Sequence, residues 1–157
     1  PYTTLFRSYK GVVFFTRTIP VGGDLITKAL QQKLNIEYFQ AEEYKKTYGL
    51  DSSHFEGKIY EIIKPIIDSI IVETKRALLF FSKDNSQISI KKAIITGGTV
   101  MMPEFLMYLV NSLGIEVVLG EPLKNMTFAP NIENRKSVLL DNANLYTTAI
   151  GLAMKGL

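Results

Sequence analysis

The spacing of apolar residues changes period several times along this chain, and each change marks an element. Val12 to Ile19 is a β-rich run closed by Pro20 and the Gly22-Gly23 pair, which predicts a strand and a turn. After Asp24, the positions of Leu25, Ile26, Ala29, Leu30 and Leu34 suit a helix of about three turns ending near Asn35. A shorter helix is predicted over Gln40 to Tyr48, stopped by Gly49. The longest predicted helix runs from Phe55 to Ser82, with Ile59, Ile63, Ile66, Ile67, Ile70, Thr74, Ala77, Leu78 and Phe81 on one face. Its isoleucines would also suit a strand, but length and helical spacing decide for helix. Pro65 removes a backbone donor inside it and predicts a kink or a break.

Asp84 to Gln87 reads as a polar loop. Ala93 to Thr96 is short, β-branched and apolar, which predicts a strand covered on both faces, and Gly97 and Gly98 end it at once. Thr99 suits an N-cap and Pro103 a first helical turn. Phe105, Leu106, Leu109, Val110 and Leu113 then form one apolar face that Gly114 closes. Ile115 to Leu119 is a further strand, and Gly120 to Lys136 is mostly irregular, with Pro122 and Pro130 as breakers. A final helix is predicted over Ala143 to Lys155, where Ala149, Gly151 and Ala153 would allow close packing. The order of strands and helices implies an α/β layer formed by residues 9–35 and 90–157, with a helical insertion at 36–89.

Composition narrows the classes of function. The chain has 157 residues, 46% of them hydrophobic, enough for one domain or two small subdomains with a real core. Cysteine is absent, which excludes disulfides and thiolate chemistry, and the lone His54 forms no histidine cluster. The net charge of +3 comes from dispersed bases interleaved with acids, so nucleic-acid binding is not indicated. The most apolar segment, Ile62 to Val72, contains Lys64, Pro65 and Asp68 and is too short to span a bilayer; no signal peptide is visible either. Pro1 to Ser8, PYTTLFRS, matches the translation of a common sequencing adapter. On that reading residues 1–8 are not biological, the gene fragment begins near Tyr9, and the true N-terminal half is lost.

Two stretches carry candidate chemistry. The Gly97-Gly98 turn lets the backbone bend sharply and lets a flat ligand approach its amides. Taken alone it is better explained as an ordinary strand-to-helix connection, and a dinucleotide loop fits poorly because Thr99 and Met102 stand where glycines are needed. In AEEYKKTYG, Glu42, Lys45 and Lys46 lie at i, i+3 and i+4 and so share one helical face. A carboxylate there can accept hydrogen bonds from ribose hydroxyls while lysine stems lie along a purine. An ordinary solvated face with a Glu42–Lys46 surface pair explains the same letters.

Four motifs together point further. IPVGGDLIT (Ile19 to Thr27), AEEYKK (Ala41 to Lys46), IITGGTVMMPEF (Ile94 to Phe105) and AIGLAMKGL (Ala149 to Leu157) occur in the order and spacing of the second half of an actin-like ATPase. From Tyr9 to Leu157 the chain resembles the PilM family of type IV pilus assembly proteins; the related FtsA family of cell division shares the first two motifs. The resemblance implies an α/β chain corresponding to domain II, subdomains IIA and IIB, of an actin/Hsp70-like (ribonuclease H-like) ATPase fold, truncated at its N-terminus.

It also implies an ATP site. Gly97, Gly98 and Thr99 map onto the turn that holds adenosine, and Glu42, Lys45 and Lys46 onto the acid and bases that contact ribose and base. Met101 stands where Hsp70-like relatives place an arginine that stacks on adenine, and its thioether can cover the ring by dispersion. The Mg site, the phosphate loops and the catalytic acids of the superfamily precede Tyr9, so no catalytic residue is assigned. Thr3, Thr4 and Leu5 match a Thr-Thr-Leu of the family's second phosphate loop, but the adapter accounts for the same letters. The family's setting implies a peripheral place at the cytoplasmic face of the inner membrane. It also implies a PilN-like membrane protein tail as partner, bound through the first domain, and allows self-association. The alternatives are an FtsA-like homologue and an actin-fold scaffold without nucleotide.

Overall fold

The computed structural model describes residues 2–9, 12–84 and 90–155. Among the described residues ten strands and α-helices follow one another: β1 (Thr3–Tyr9), β2 (Val12–Ile19), α1 (Gly23–Leu34), α2 (Tyr38–Thr47), α3 (Lys58–Asp84), β3 (Lys92–Ile95), α4 (Phe105–Leu113), β4 (Glu116–Leu119), α5 (Lys136–Asn142) and α6 (Thr147–Met154). β1 and β2 pair antiparallel, Thr3 opposite Ile19, with an irregularity between Arg7 and Ser8. β3 and β4 pair parallel, Lys92 opposite Glu116, with α4 as the crossover.

The core lies where α1, α2, α3 and α4 meet. Ile26 and Leu30 of α1, Ala41 of α2, Ile59, Ile63, Ile67, Ile70 and Ile71 of α3, and Phe105 and Leu109 of α4 are buried together with Ile19 and Val117 of the strands. This is the apolar face expected of the long helix. Pro65 does not break that helix: α3 is continuous through it. Pro65 and Glu61, whose carbonyl loses its partner, are both exposed, so water can take the missing bond while Ile63 and Ile67 hold the buried side.

Several boundaries move for local reasons. α2 begins at Tyr38, earlier than expected, because Glu37 and Gln40 form a reciprocal capping box. α3 begins at Lys58 instead of Phe55, since Phe55, Glu56 and Gly57 all have positive φ and cannot enter a right-handed helix. Leu25 faces solvent, and Thr27 takes the buried place on α1. Asn35 and Gly114 close their helices in the left-handed conformation, as their positions predict. Thr99 is not the N-cap of α4. The residues after Gly97 form a 3₁₀ turn, Gly98–Met101, Pro103 lies in the following turn, and α4 starts only at Phe105.

The strand before the turn is not covered on both faces, because its sheet has two strands and Ile94 is 67% exposed. The final helix expected over Ala143 to Lys155 is divided into a 3₁₀ turn at Ala143–Tyr146 and α6, and α5, which begins at Lys136, the last residue of the stretch read as irregular, is a helix the spacing did not predict. Ala149, Gly151 and Ala153 are exposed, and a Cβ on Gly151 would meet no atom within 4 Å, so the close packing expected of this small-residue face is not seen among the described residues. The expected polar loop lies outside the described residues apart from Asp84, which ends α3.

Candidate functional site

The start of α1 gathers side chains from three elements. Gly23 opens the helix, and Thr27, one turn later, is fully buried with its hydroxyl 2.6 Å from Glu42 Oε2 and 3.0 Å from the Gly23 carbonyl. The hydroxyl has one proton and donates to one of these at a time. Lys45 brings its ammonium group to the same place from α2 and donates to Glu42 Oε2 at 2.5 Å, to Thr27 Oγ1 at 2.8 Å and to the Gly23 carbonyl at 3.2 Å. All three of its N–H groups therefore have partners within the chain.

Glu42 is left asymmetric by this arrangement. Oε2 takes Thr27 and Lys45, whereas among the described residues Oε1 has only Lys46, 3.5 Å away and 70% exposed in its side chain. Partial burial raises the pKa of the Glu42 carboxyl, but the hydrogen bonds from Lys45 and Thr27 and the charges of Lys45 and Lys46 outweigh it and hold the group below the ordinary carboxylate range. Glu42 is thus an ionised acceptor with one oxygen fixed and the other available.

The turn after β3 touches the same point. A Cβ on Gly23 would stand 3.0 Å from Thr99 Oγ1 and 3.4 Å from Lys45 Nζ, so α1, α2 and the turn approach one another across a residue without a side chain. Gly97 has φ +100°, a conformation that L side chains avoid, and its N–H donates to the Asn144 carbonyl at 3.0 Å. Val100 is buried and anchors the turn, while Met101 on the same turn is 52% exposed. Gly49 fixes the other side: with φ +51°, it brings the end of α2 so near the chain before α4 that a Cβ would lie 2.6 Å from the Pro103 carbonyl oxygen.

Glu42, Lys45, Lys46 and Thr99 are therefore brought together, and Gly97, Gly98 and Met101 occupy the turn that carries Thr99. Lys45 has its three N–H groups satisfied within the protein and holds Glu42 Oε2. The sequence reading gave no part to Thr27, Gly23 or the segment at Ala143–Tyr146. For the first two a signal existed, since Gly23 and Thr27 are one helical turn apart within a motif already singled out. No group of three or more His, Asp or Glu side chains able to hold a metal ion occurs among the described residues.

The arrangement, a helical layer set against a parallel strand–turn–helix unit, is that of the actin-like ATPase fold. Among solved structures, the PilM–PilN type IV pilus biogenesis complex contains a chain 24% identical to this one, with a TM-score of 0.81 over 99% of the present chain and 43% of that chain. The ethanolamine utilization protein EutJ from Carboxydothermus hydrogenoformans is 22% identical, with a TM-score of 0.63 over 97% of this chain and 44% of its own. A family model described as type IV pilus assembly protein PilM matches residues 3–157, and the chain belongs to that family. It spans less than half the length of either solved relative. The matched region takes in Thr3, Thr4 and Leu5, which the structure places in or beside the β1–β2 pairing.

Proposed function

We propose that this chain is part of an ATP-binding PilM-type protein that acts in type IV pilus assembly at the cytoplasmic face of the inner membrane, with a PilN-like protein as its membrane partner. The observation that carries the nucleotide part is the convergence of Glu42 and the Gly97–Met101 turn at the start of α1. Glu42 Oε1 is ionised, preoriented and short of donors, which suits the hydroxyl groups of a ribose. The open backbone at Gly97, where a Cβ would meet no atom within 4 Å, leaves room for a flat ring beside the turn. Phosphates and Mg would be held by the part of the protein that relatives carry beyond this stretch, and the PilN tail would bind there as well. No helix among the described residues is long and apolar enough to cross a membrane.

A second reading is favoured by the saturation of Lys45: the Thr27–Glu42–Lys45 cluster also suffices as an internal tie in an actin-fold scaffold without nucleotide. One experiment separates the two. In the full-length protein, ATP with Mg should raise the melting temperature, and Glu42→Ala and Gly98→Val should each remove most of that increase. A scaffold would show no increase and no response to either substitution.

A further inference from the structure

Both parallel strands end beside the same short segment. β3 stops at Ile95 and β4 at Leu119, and the Gly120 N–H donates to the Ile95 carbonyl at 2.8 Å. The carboxyl ends of parallel strands are where α/β sheets hold ligands, since the turns that follow leave the sheet free to form a crevice. The 3₁₀ turn Ala143–Tyr146 lies against these ends. The carbonyl of Asn144 accepts the Gly97 N–H at 3.0 Å, and a Cβ on Gly98 would stand 3.0 Å from Leu145 Cδ2. Asn144 Oδ1 lies 3.5 Å from the place of a Cβ on Gly120.

Leu145 is 50% exposed although its side chain reaches the Gly98 backbone, so one side of it rests on the turn and another faces open space. The carboxamide oxygen of Asn144 is buried without a hydrogen-bond partner among the described residues.

We propose that Leu145 is the residue that covers one face of the adenine ring, with Met101 as the second apolar side chain beside the glycine turn. The inference rests on the ATP reading above and adds to it a base-contacting residue from outside the four motifs. A purine has poorly hydrated faces, and an aliphatic side chain against one of them gains dispersion contacts and removes apolar area from water.

The test measures ATP and inorganic tripolyphosphate affinity by titration of the full-length protein, with the unliganded melting temperature followed in parallel. Leu145→Ala should weaken ATP about tenfold, while Leu145→Met stays within about twofold. Tripolyphosphate, which has no base, should bind the wild type and both variants alike. Leu145→Gln keeps the volume, guards against a packing defect in the alanine variant, and should also weaken ATP selectively. Unchanged ATP affinity in Leu145→Ala and Leu145→Gln, with loss in Glu42→Ala, would overturn the role of Leu145 and leave the ATP reading standing. Equal loss of ATP and tripolyphosphate would overturn it too, as a general collapse of the turn. If the wild type binds no ATP and ignores Glu42→Ala, the ATP reading itself fails.

Discussion

The helical layer of α1, α2 and α3 and the surface formed by β3, β4, α5 and α6 both carry apolar side chains, yet the two differ in how far these are covered. In the first, Ile26, Leu30, Ile63 and Ile67 are fully buried, and even the charged Lys45 is enclosed with three acceptors. In the second, Ile94, Val138, Leu140, Leu145 and Leu152 are exposed. The apolar core of the helical layer is closed by α4, Ile19 and Val117, and the polar groups enclosed between α1 and α2 are satisfied. The strand-end region has no such closure within the described residues. The candidate nucleotide site lies on the seam, where a preset carboxylate from the closed side meets an open glycine turn from the other.

Substitutions can test this contrast directly. The largest loss should come from the closed side: Ile63→Ala should destabilise by about 2–5 kcal/mol in denaturant unfolding, because a fully enclosed side chain leaves a cavity. A loss below about 1 kcal/mol would mean that the layer is loosely packed. Gly49→Ala should follow, at about 2 kcal/mol or more, since positive φ is compounded by the Pro103 carbonyl oxygen 2.6 Å from the new Cβ. Gly97→Ala has the strain without the clash and should lose less, by the same measurement.

Thr27→Val should remove about 1–2 kcal/mol by leaving Glu42 and Lys45 short of a partner. Its pH dependence gives a sharper test. The folded-state pKa of Glu42 is depressed, so its contribution is complete above the unfolded value and is lost as pH falls through the folded one. The difference in melting temperature between wild type and Thr27→Val should therefore shrink below about pH 4 and be constant near neutrality. A difference that grew in acid would contradict the assignment. The smallest effect belongs to the open side: Val138→Ser, at a residue 62% exposed, should stay within about 0.5 kcal/mol. A larger loss would show that this surface is covered in solution.

Helix periods in this chain were legible because they depend on near neighbours. The isoleucine face of α3 and the helix stops at Asn35 and Gly114 follow from local spacing and caps. Misjudged boundaries were set by backbone geometry with no distinct letter behind it, such as the left-handed Phe55 and Glu56 or the 3₁₀ turn that delays α4 to Phe105. Glu42 and Lys45 were visible as one face of a helix. That Lys45 turns inward could not be seen, because its acceptors, Gly23 and Thr27, lie on another helix.

The sequence by itself determined the order of elements from β2 to β4, the apolar faces and, through four ordered motifs, the family. Tertiary structure alone decided what the polar groups do: Lys45 orients Glu42, Glu42 Oε1 stays available, and Leu145 stands on Gly98. Helix periodicity and caps are encoded within a few residues. Hydrogen-bond saturation and exposure depend on partners brought together from distant positions, and only the folded chain determines which donors are satisfied and which surfaces stay open.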